Sequence, residues 1–378
     1  MKRFKALDVF RGLTVCLMII VNTPGDWGKT FAPLLHANWH GFTFTDLVFP
    51  SFLFAVGVSL VFVEKKWVDQ PFSTVAFKIL KRTFIIFLLG YSMYWFPFFK
   101  WTPEGAIVFK PIAETRIWGV LQRIGICYGI TAFLVYFLTK KQLWYTAIAL
   151  LLGYWIVLWG FGDYSLENNA VRQLDLLLFG ENHLYGGDGI PFDPEGFLST
   201  FPAVVNAIGG YLTGRYLIDK TNENHIALEG DALNYKKIAI LLIIGCSLMA
   251  IAHFWHYLFP INKKLWTSSY VLLTIGLDLA ILSMLIFAID IKKPPLNFYF
   301  FEIFGKNPLI LYLFSEYLLI TLYFIRPDGK QSLFSMIYQN GFGWLPDYWA
   351  SFVFAIVYML ICWVVGWWMD KKEWYIRV

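Results

Sequence analysis

Two histidines, His36 and His40, lie in a polar loop, residues 23–44, between two strongly apolar segments. Asn22 ends the apolar segment before this loop, and Asp46 lies at the start of the one after it. A neutral imidazole can act as a general base or a nucleophile, and a side-chain amide can donate a hydrogen bond to an oxyanion. His36 is therefore the first candidate catalytic residue, His40 the second, and Asn22 the candidate oxyanion donor. A loop histidine is more often structural, so spacing alone leaves both interpretations open.

Three charged residues near the ends of apolar segments suit a charged cofactor. Asp8 and Arg11 are three residues apart on one face of a predicted helix, where a charge is costly unless it is paired or faces a wet interior. They form either a structural ion pair or part of a cofactor site. Lys306 precedes Asn307-Pro308 at the start of another apolar segment, where its amine can reach the membrane interface or bind a phosphate.

A second polar pair, Gln122 and Arg123, is predicted at the depth of His36. An arginine inside an apolar segment indicates a functional site unless an acid pairs with it. Asp46 and Glu195 are the acids that could pair with Arg123. The alternative to such an ion pair is a functional site that includes Arg123, with Gln122 beside it.

Four further acids have two interpretations each. Asp193 and Glu195, in Asp193-Pro194-Glu195-Gly196, run directly into a predicted helix, whose N-terminal dipole stabilises negative charge. Alternatively, they bind a cationic or hydroxyl-rich acceptor. Asp278 and Glu316 lie well inside apolar segments, and they fit either interhelical hydrogen bonds or a proton path.

Transmembrane helices must position these residues. Of 378 residues, 58% are hydrophobic and only 15% are charged, against roughly 25% charged in a soluble domain. Apolar runs of about 18 or more residues, enough to span a bilayer, recur along the chain. We predict an all-α, polytopic integral membrane helix bundle with about ten transmembrane helices. The predicted spans are residues 6–22, 45–63, 78–97, 117–138, 143–160, 197–217, 237–258, 267–290, 307–325 and 348–369.

The distribution of basic residues between the two sides predicts the orientation of this bundle in the membrane. Ten spans place both termini on one side, and segments on that side hold 19 basic residues against nine on the other. The positive-inside rule then predicts cytoplasmic termini, with residues 23–44 and 161–196 outside. The Lys263–Lys264 pair is the discordant outer segment. Aromatic residues, at 20%, suit interfacial belts and a stacking site for sugars or cofactors.

Other classes of site are disfavoured. All four cysteines fall inside apolar runs, so neither a disulfide framework nor a zinc site is expected. The basic N-terminus is interrupted by Asp8 and Arg11, and we interpret it as a retained first helix rather than a cleavable signal. We expect one domain over residues 1–378. To this point a transporter fits the residues about as well as an enzyme.

Several motifs, taken together, resemble the heparan-α-glucosaminide N-acetyltransferase family. The resemblance covers nearly the whole chain in order. It rests on Leu7-Asp8-x-x-Arg11-Gly12, Asn22, His36-Ala37-x-Trp39-x-Gly41, Asp46-Leu47-Val48-Phe49-Pro50-x-Phe52, Gly119-Val120-Leu121-Gln122-Arg123-Ile124, Asp193-Pro194-Glu195-Gly196 with Thr200, and Asn307-Pro308.

The resemblance implies a transmembrane acyltransferase that moves acetyl from cytosolic acetyl-CoA to an amino sugar or glycan on the far side. The family's catalytic histidine falls on His36 and its asparagine on Asn22. No metal is expected. The predicted donor-binding residues are Arg11, Arg123, Gln122 and Lys306. The predicted acceptor-binding residues are Asp46, Asp193 and Glu195.

The remaining expectations concern location and partners. We expect a bacterial-type inner-membrane enzyme that lacks the family's large extracytoplasmic N-terminal domain. Expected partners are acetyl-CoA, an amino sugar or glycan acceptor, the lipid bilayer and a second copy of the chain in a homodimer, but not nucleic acid. The alternatives are an O-acetyltransferase of a cell-envelope glycan and a proton-coupled transporter or flippase that uses Asp278 and Glu316.

Overall fold

A computed structural model describes residues 4–218, 231–292 and 298–376, and these residues are mostly helical. Thirteen α-helices are present in the described residues, with a two-stranded antiparallel hairpin between α3 and α4. The helices are α1 Lys5–Asn22, α2 Phe44–Glu64, α3 Phe72–Trp95, α4 Val120–Phe137, α5 Lys140–Gly160, α6 Ala170–Phe179, α7 Thr200–Ile218, α8 Asp231–Trp255, α9 Ser268–Ile286, α10 Tyr299–Lys306, α11 Pro308–Phe324, α12 Leu333–Phe342 and α13 Asp347–Lys371. The strands are β1 Phe99–Trp101 and β2 Ile107–Phe109.

Each of the ten predicted apolar segments is helical, and α6, α10 and α12 are additional short helices. Six helices, α2, α4, α5, α8, α9 and α13, are long and apolar enough to cross a membrane. The pair α10 and α11 is bent by 84° and counts as a seventh if it forms one broken span. Because α1 and α3 each carry three charged residues, their sequences are less apolar. The described helices thus support a membrane bundle, and the count of ten crossings stays a prediction.

Glycines let the central helices approach closely. A Cβ added at Gly57 of α2 would lie 1.9 Å from the Ala207 carbonyl oxygen, and one at Gly210 of α7 would lie 2.0 Å from that of Phe54. Helices α1 and α10 also cross at a glycine, because Gly12 lies against the Phe301 backbone. Small residues at such crossings allow the van der Waals contact that holds membrane helices together.

The bundle has two distinct ends. At one end Lys306 Nζ lies 2.6 Å from Asp370 Oδ1, and Asn307 Nδ2 donates to the Trp374 carbonyl at 2.8 Å, so the C-terminal segment lies near the start of α11. The Arg11 guanidinium contacts the Gly305 carbonyl at this same end. We call it the terminal end. The opposite end, the loop end, carries residues 23–44 and 161–196. The basic residues Lys2, Arg3, Lys220, Lys293 and Arg377, which the charge count assigned to the inner side, lie outside the described residues.

The two long loops pack on each other. The Trp39 indole donates to the Tyr164 carbonyl at 2.7 Å, and its ring centroid lies 5.5 Å from that of Phe192. Lys264, from the discordant basic pair, forms an ion pair with Asp188 of residues 161–196. The ion pair with Asp188 thus accounts for Lys264 at the end of the bundle that the charge count assigns to the outer side.

Candidate active site

His36 and Asp46 form a pair at the loop end. Their Nδ1 and Oδ1 atoms are 2.6 Å apart. The Asp46 side chain is only 1% exposed, whereas that of His36 is 41% exposed. Because a carboxylate only accepts hydrogen bonds, this contact places the imidazole hydrogen on Nδ1 and leaves the Nε2 lone pair for a substrate.

Local sequence builds this pair. Asp46 is the third residue of α2, and it forms a capping box with Thr43, whose backbone N–H donates to Asp46 Oδ2 at 2.9 Å. The Ala37 N–H donates to the same oxygen at 3.2 Å, and the Thr43 hydroxyl donates to the Leu35 carbonyl at 2.6 Å. Gly41 has φ +119°, which favours glycine. Residues 35–46 thus form a compact loop that holds His36 in place.

His36 opens on a pocket of about 430 Å³ at the loop end. Asn22, from the last turn of α1, lines the same pocket, and its Nδ2 donates to Glu316 Oε1 at 3.2 Å. Aromatic side chains also line it, including Trp27, Tyr185 and Tyr312. The structure therefore brings together the predicted histidine and asparagine, beside aromatic rings.

A network of ion pairs forms another wall. Arg116 binds Asp193 with two hydrogen bonds, of 2.8 and 2.6 Å, and Glu195 with a third of 2.6 Å. Lys263 Nζ lies 3.7 Å from the other oxygen of Glu195. Burial opposes ionisation of Glu195, but the positive charges of Lys263, Arg116 and Arg123 outweigh it and hold the pKa of this carboxyl below its usual range.

Lys263 also lowers the pKa of His36. Its positive charge is the largest cause that lowers the pKa of His36, and burial lowers it further. The Asp46 hydrogen bond and the charge of Glu195 act in the opposite direction without reversing the shift. The imidazole is therefore neutral at pH 7, which is the form that accepts a proton.

Gln122 and Arg123 lie away from the loop-end pocket, and their predicted contact with the donor stays a prediction. Both side chains are fully buried, and neither lines the pocket. The Arg123 guanidinium contacts the Gly196 carbonyl and the Ser199 hydroxyl, while Gln122 donates to the Ile117 carbonyl at 3.0 Å. The Arg123 contacts hold the backbone just before α7, and the Gln122 contact holds the backbone just before α4.

Two of the three predicted acceptor residues are also covered. Asp46 lies behind His36 with both oxygens hydrogen-bonded, and Asp193 is fully buried against Arg116. Neither side chain lines the loop-end pocket, and a role of Asp46 and Asp193 in acceptor binding stays a prediction. Glu195, in contrast, lines the pocket as expected.

The remaining predicted residues lie elsewhere. Arg11 lines a separate cavity of about 110 Å³ that also touches Arg82, and it pairs with Asp8 at 3.1 Å. Lys306 is paired with Asp370 at the terminal end and lines neither cavity. His40 is exposed, lies near Asn262, and does not line the loop-end pocket.

Several residues that line this pocket are not among the predicted site residues, and Arg116, Lys263 and Glu316 are three of them. Arg116 and Lys263 belong to the nine basic residues of the predicted outer segments, and the sequence assigns Glu316 only to helix pairing or a proton path. The excess of acids in residues 161–196 could have indicated that outer cations lie opposite them, since buried acids require partners. Nothing in the local sequence indicates that Glu316 meets Asn22, because 294 residues separate them.

Two comparisons place the chain among known proteins. Residues 3–258 match the family profile described as "Heparan-alpha-glucosaminide N-acetyltransferase, catalytic". The chain is 28% identical over 367 aligned positions to the heparan-alpha-glucosaminide N-acetyltransferase of Mus musculus, covering 84% of this chain and 54% of that protein. The Homo sapiens protein of the same name is 27% identical over 365 positions, covering 83% of this chain and 53% of its own length.

The chain thus spans about half the length of the curated relatives that it matches. The profile match includes Asn22, His36 and Asp46, and it ends before Lys263 and Glu316, which complete the pocket. From the residues matched by this profile, the chain belongs to the heparan-alpha-glucosaminide N-acetyltransferase family.

Proposed function

We propose that this chain is a membrane-embedded acetyltransferase that transfers an acetyl group from acetyl-CoA to the amine of an amino sugar or glycan. The observation that carries the proposal is the His36–Asp46 pair, which opens on a pocket that Asn22 also lines. The names of the relatives support the same reaction class. Trp27, Tyr185 and Tyr312 supply apolar rings against which a sugar can stack.

The pair supports direct transfer. The neutral acceptor amine attacks the thioester carbonyl carbon while Nε2 of His36 takes the proton that the nitrogen loses. The carbon–sulfur bond then breaks, and the protonated imidazole returns the proton to the CoA thiolate. The side-chain amide of Asn22 donates to the oxyanion of the tetrahedral intermediate, which is worth about 3–4 kcal/mol for one such donor.

The same nitrogen also supports a two-step route. Nε2 attacks the thioester, the carbon–sulfur bond breaks, and CoA leaves as the thiolate, which takes a proton from solvent. The amine then attacks the acetyl-imidazolium, the acetyl–nitrogen bond to Nε2 breaks, and the proton that the amine loses passes to solvent. The routes differ in one measurable respect. Only the two-step route releases one equivalent of CoA thiol per protein before any acceptor is added.

The donor enters from the terminal end in this proposal. CoA phosphates cannot cross a hydrocarbon core unaided, because burying their charge is prohibitively costly. The cavity beside Arg11 and Arg82 supports an approach from that end. Its lining includes Leu309 of α11, one helical turn before Tyr312 of the loop-end pocket. A pantetheine arm lying along α11 would therefore carry the thioester toward His36.

The test uses purified protein with acetyl-labelled acetyl-CoA and glucosamine. We expect labelled sugar from the native chain, and a rate lower by about 10²–10⁴-fold for His36→Ala, the range for loss of a general base. His40→Ala is the matched control, because His40 is in the same loop but does not line the pocket. Near-normal activity of His36→Ala with loss in His40→Ala would show that the other histidine is catalytic.

The product also identifies the acceptor atom. Hydroxylamine at mild alkaline pH cleaves an acetyl ester and leaves an acetyl amide intact. Label that survives this treatment supports transfer to nitrogen. Label that is lost would favour an O-acetyltransferase, and no acetyl transfer to any hydroxyl or amine would favour a transporter.

A further inference from the structure

A third cavity, of about 580 Å³, lies among α5, α7, α8 and α9. Its wall is apolar along most of its length, with Ile148 on α5, Ile244 and Leu248 on α8 and Ile275 on α9. It shares no residue with the loop-end pocket or with the cavity beside Arg11. We call it the α5–α8 groove.

The groove lies on the periphery of the bundle. Only 28% of the apolar segment of α5 and 22% of that of α8 is buried, whereas 78% of that of α2 is buried. The Ile148 and Ile244 side chains, 50% and 37% exposed, line the groove on these two outer helices. In a bilayer such an apolar recess faces hydrocarbon rather than water.

Charge is confined to one end of the groove. Lys140 is the first residue of α5 and Arg215 is in the last turn of α7, and both line the groove at the terminal end. Arg215 also pairs with Glu64, and its Nε is buried without a protein hydrogen-bond partner. Trp144 and Tyr216 line the groove near these cations, as interfacial aromatics do. The groove thus combines a cationic mouth with an apolar body.

The groove is long enough for an acyl chain to cross one lipid leaflet, since its lining on α8, from Leu241 to Trp255, spans roughly 21 Å at 1.5 Å per residue. Its lining on α7 runs from Val205 to Tyr216, which is roughly 16 Å at 1.5 Å per residue. Half of a typical hydrocarbon core is about 15 Å. An acyl chain that starts at the cationic mouth would therefore lie along α7 to about the bilayer midplane.

We propose that the α5–α8 groove binds a phospholipid with an anionic headgroup, with its phosphate beside Lys140 and Arg215 and an acyl chain along Ile148, Ile244 and Leu248. Membrane helices gain stability from continuous van der Waals contact, and an unfilled apolar recess forfeits those contacts. Basic residues at the membrane surface attract anionic lipid, which selects the headgroup. The inference is independent of the acetyl-transfer reaction.

The test compares adjacent isoleucines of α8. Ile244 lines the groove, whereas Ile243 does not and is 65% exposed on another face of the helix. Purified protein in detergent is melted with added phosphatidylglycerol or phosphatidylcholine. We expect phosphatidylglycerol to raise the melting temperature more than phosphatidylcholine, because binding only to the folded state stabilises it. This larger rise in melting temperature with phosphatidylglycerol should persist in Ile243→Trp. It should disappear in Ile244→Trp, because the indole fills the groove.

A second pair of variants, on α5, distinguishes loss of lipid binding from misfolding of the α8 variants. Ile148→Trp on α5 should also lose the shift, and Ile156→Trp, which lies outside the groove on the same helix, should retain it. Lys140→Glu should remove the preference for phosphatidylglycerol over phosphatidylcholine. Native mass spectrometry should detect retained phospholipid in the native chain and in Ile243→Trp but not in Ile244→Trp.

Three results would overturn the inference. Equal shifts with the two lipids would exclude the anionic headgroup. Equal loss in lining and non-lining variants would exclude the groove. A change in the number of protomers in Ile244→Trp, without loss of lipid, would assign the groove to a second copy of the chain.

Discussion

At the scale of single residues, the hydrogen bonds of Asp46 decide which nitrogen of His36 can react. Asp46 Oδ2 accepts from the Ala37 and Thr43 N–H groups, and Oδ1 is left for Nδ1 of His36. The Asp46 side chain is buried and the imidazole is half exposed. In the proposed function Asp46 therefore positions His36, and His36 is the residue that would touch substrate.

Asp46→Asn should slow turnover by about 10²–10⁴-fold without removing the histidine. The two N–H donors retain the amide oxygen at the Oδ2 position, so the NH₂ group faces Nδ1 of His36. The imidazole then carries its hydrogen on Nε2 and loses its function as a base. Turnover and melting temperature of Asp46→Asn, His36→Ala and the double variant check this. A double variant much slower than His36→Ala would show that Asp46 acts by another route.

Lys263→Gln should move the acid limb of kcat/KM to higher pH. The positive charge of Lys263 is the largest cause that lowers the pKa of His36, and Asp46 and Glu195 act in the opposite direction. Without that charge the pKa of His36 rises, so the imidazole is protonated and inactive at a higher pH than in the native chain. Lys264→Gln, which removes the neighbouring lysine paired with Asp188, is the control. An acid limb that is unchanged or lower in Lys263→Gln would contradict the assignment.

At the scale of elements, glycine-mediated crossings set where the helices meet. Gly57 and Gly210 bring α2 and α7 to backbone contact, and Gly12 and Gly305 do the same for α1 and α10. Asn22 and Asp46 are carried by α1 and α2, whose relative placement depends on these crossings. The site is thus positioned by helix packing as well as by the loop at residues 35–46.

Gly210→Ala should destabilise the bundle by about 1–3 kcal/mol, because an added Cβ would lie 2.0 Å from the Phe54 carbonyl oxygen and must force α2 and α7 apart. Gly153→Ala, on α5, is the matched control, since an added Cβ there meets nothing within 4 Å. The control should be neutral or more stable by about 0.5–1 kcal/mol. Melting of both variants in the same detergent provides the measurement. Equal stability would mean that the α2–α7 crossing tolerates separation.

At the scale of the whole molecule, the two ends differ in chemistry. The loop end holds the His36 pocket, with acids paired to Arg116, Lys263 and Lys264. The cavity beside Arg11 and Arg82 extends toward the terminal end. This separation supports a donor that enters from one side and an acceptor that is modified on the other.

Sealed vesicles of one orientation should acetylate an amino sugar at the loop end only when acetyl-CoA is supplied at the terminal end. Arg82→Gln should raise the donor KM by about tenfold, the scale of one charged hydrogen bond, and leave the acceptor KM nearly unchanged. Lys81→Gln is the matched control, because Lys81 is exposed and does not line the cavity. Equal rates with acetyl-CoA on either side would refute entry through the bundle. The donor would then have to enter with the sugar.

The helical segments, the polar loop with His36 and the position of Asn22 at the end of α1 follow from the amino-acid sequence alone. These depend on local free energies, because an apolar run of about 18 residues is helical in a membrane and a capping residue fixes its start. Which distant residues complete the pocket depends instead on how the helices pack. Lys263 and Glu316 meet His36 and Asn22 across the bundle, and Arg123 is turned inward to the backbone before α7. Such encounters depend on how packed helices are rotated and spaced, which charge and hydropathy along the chain do not specify.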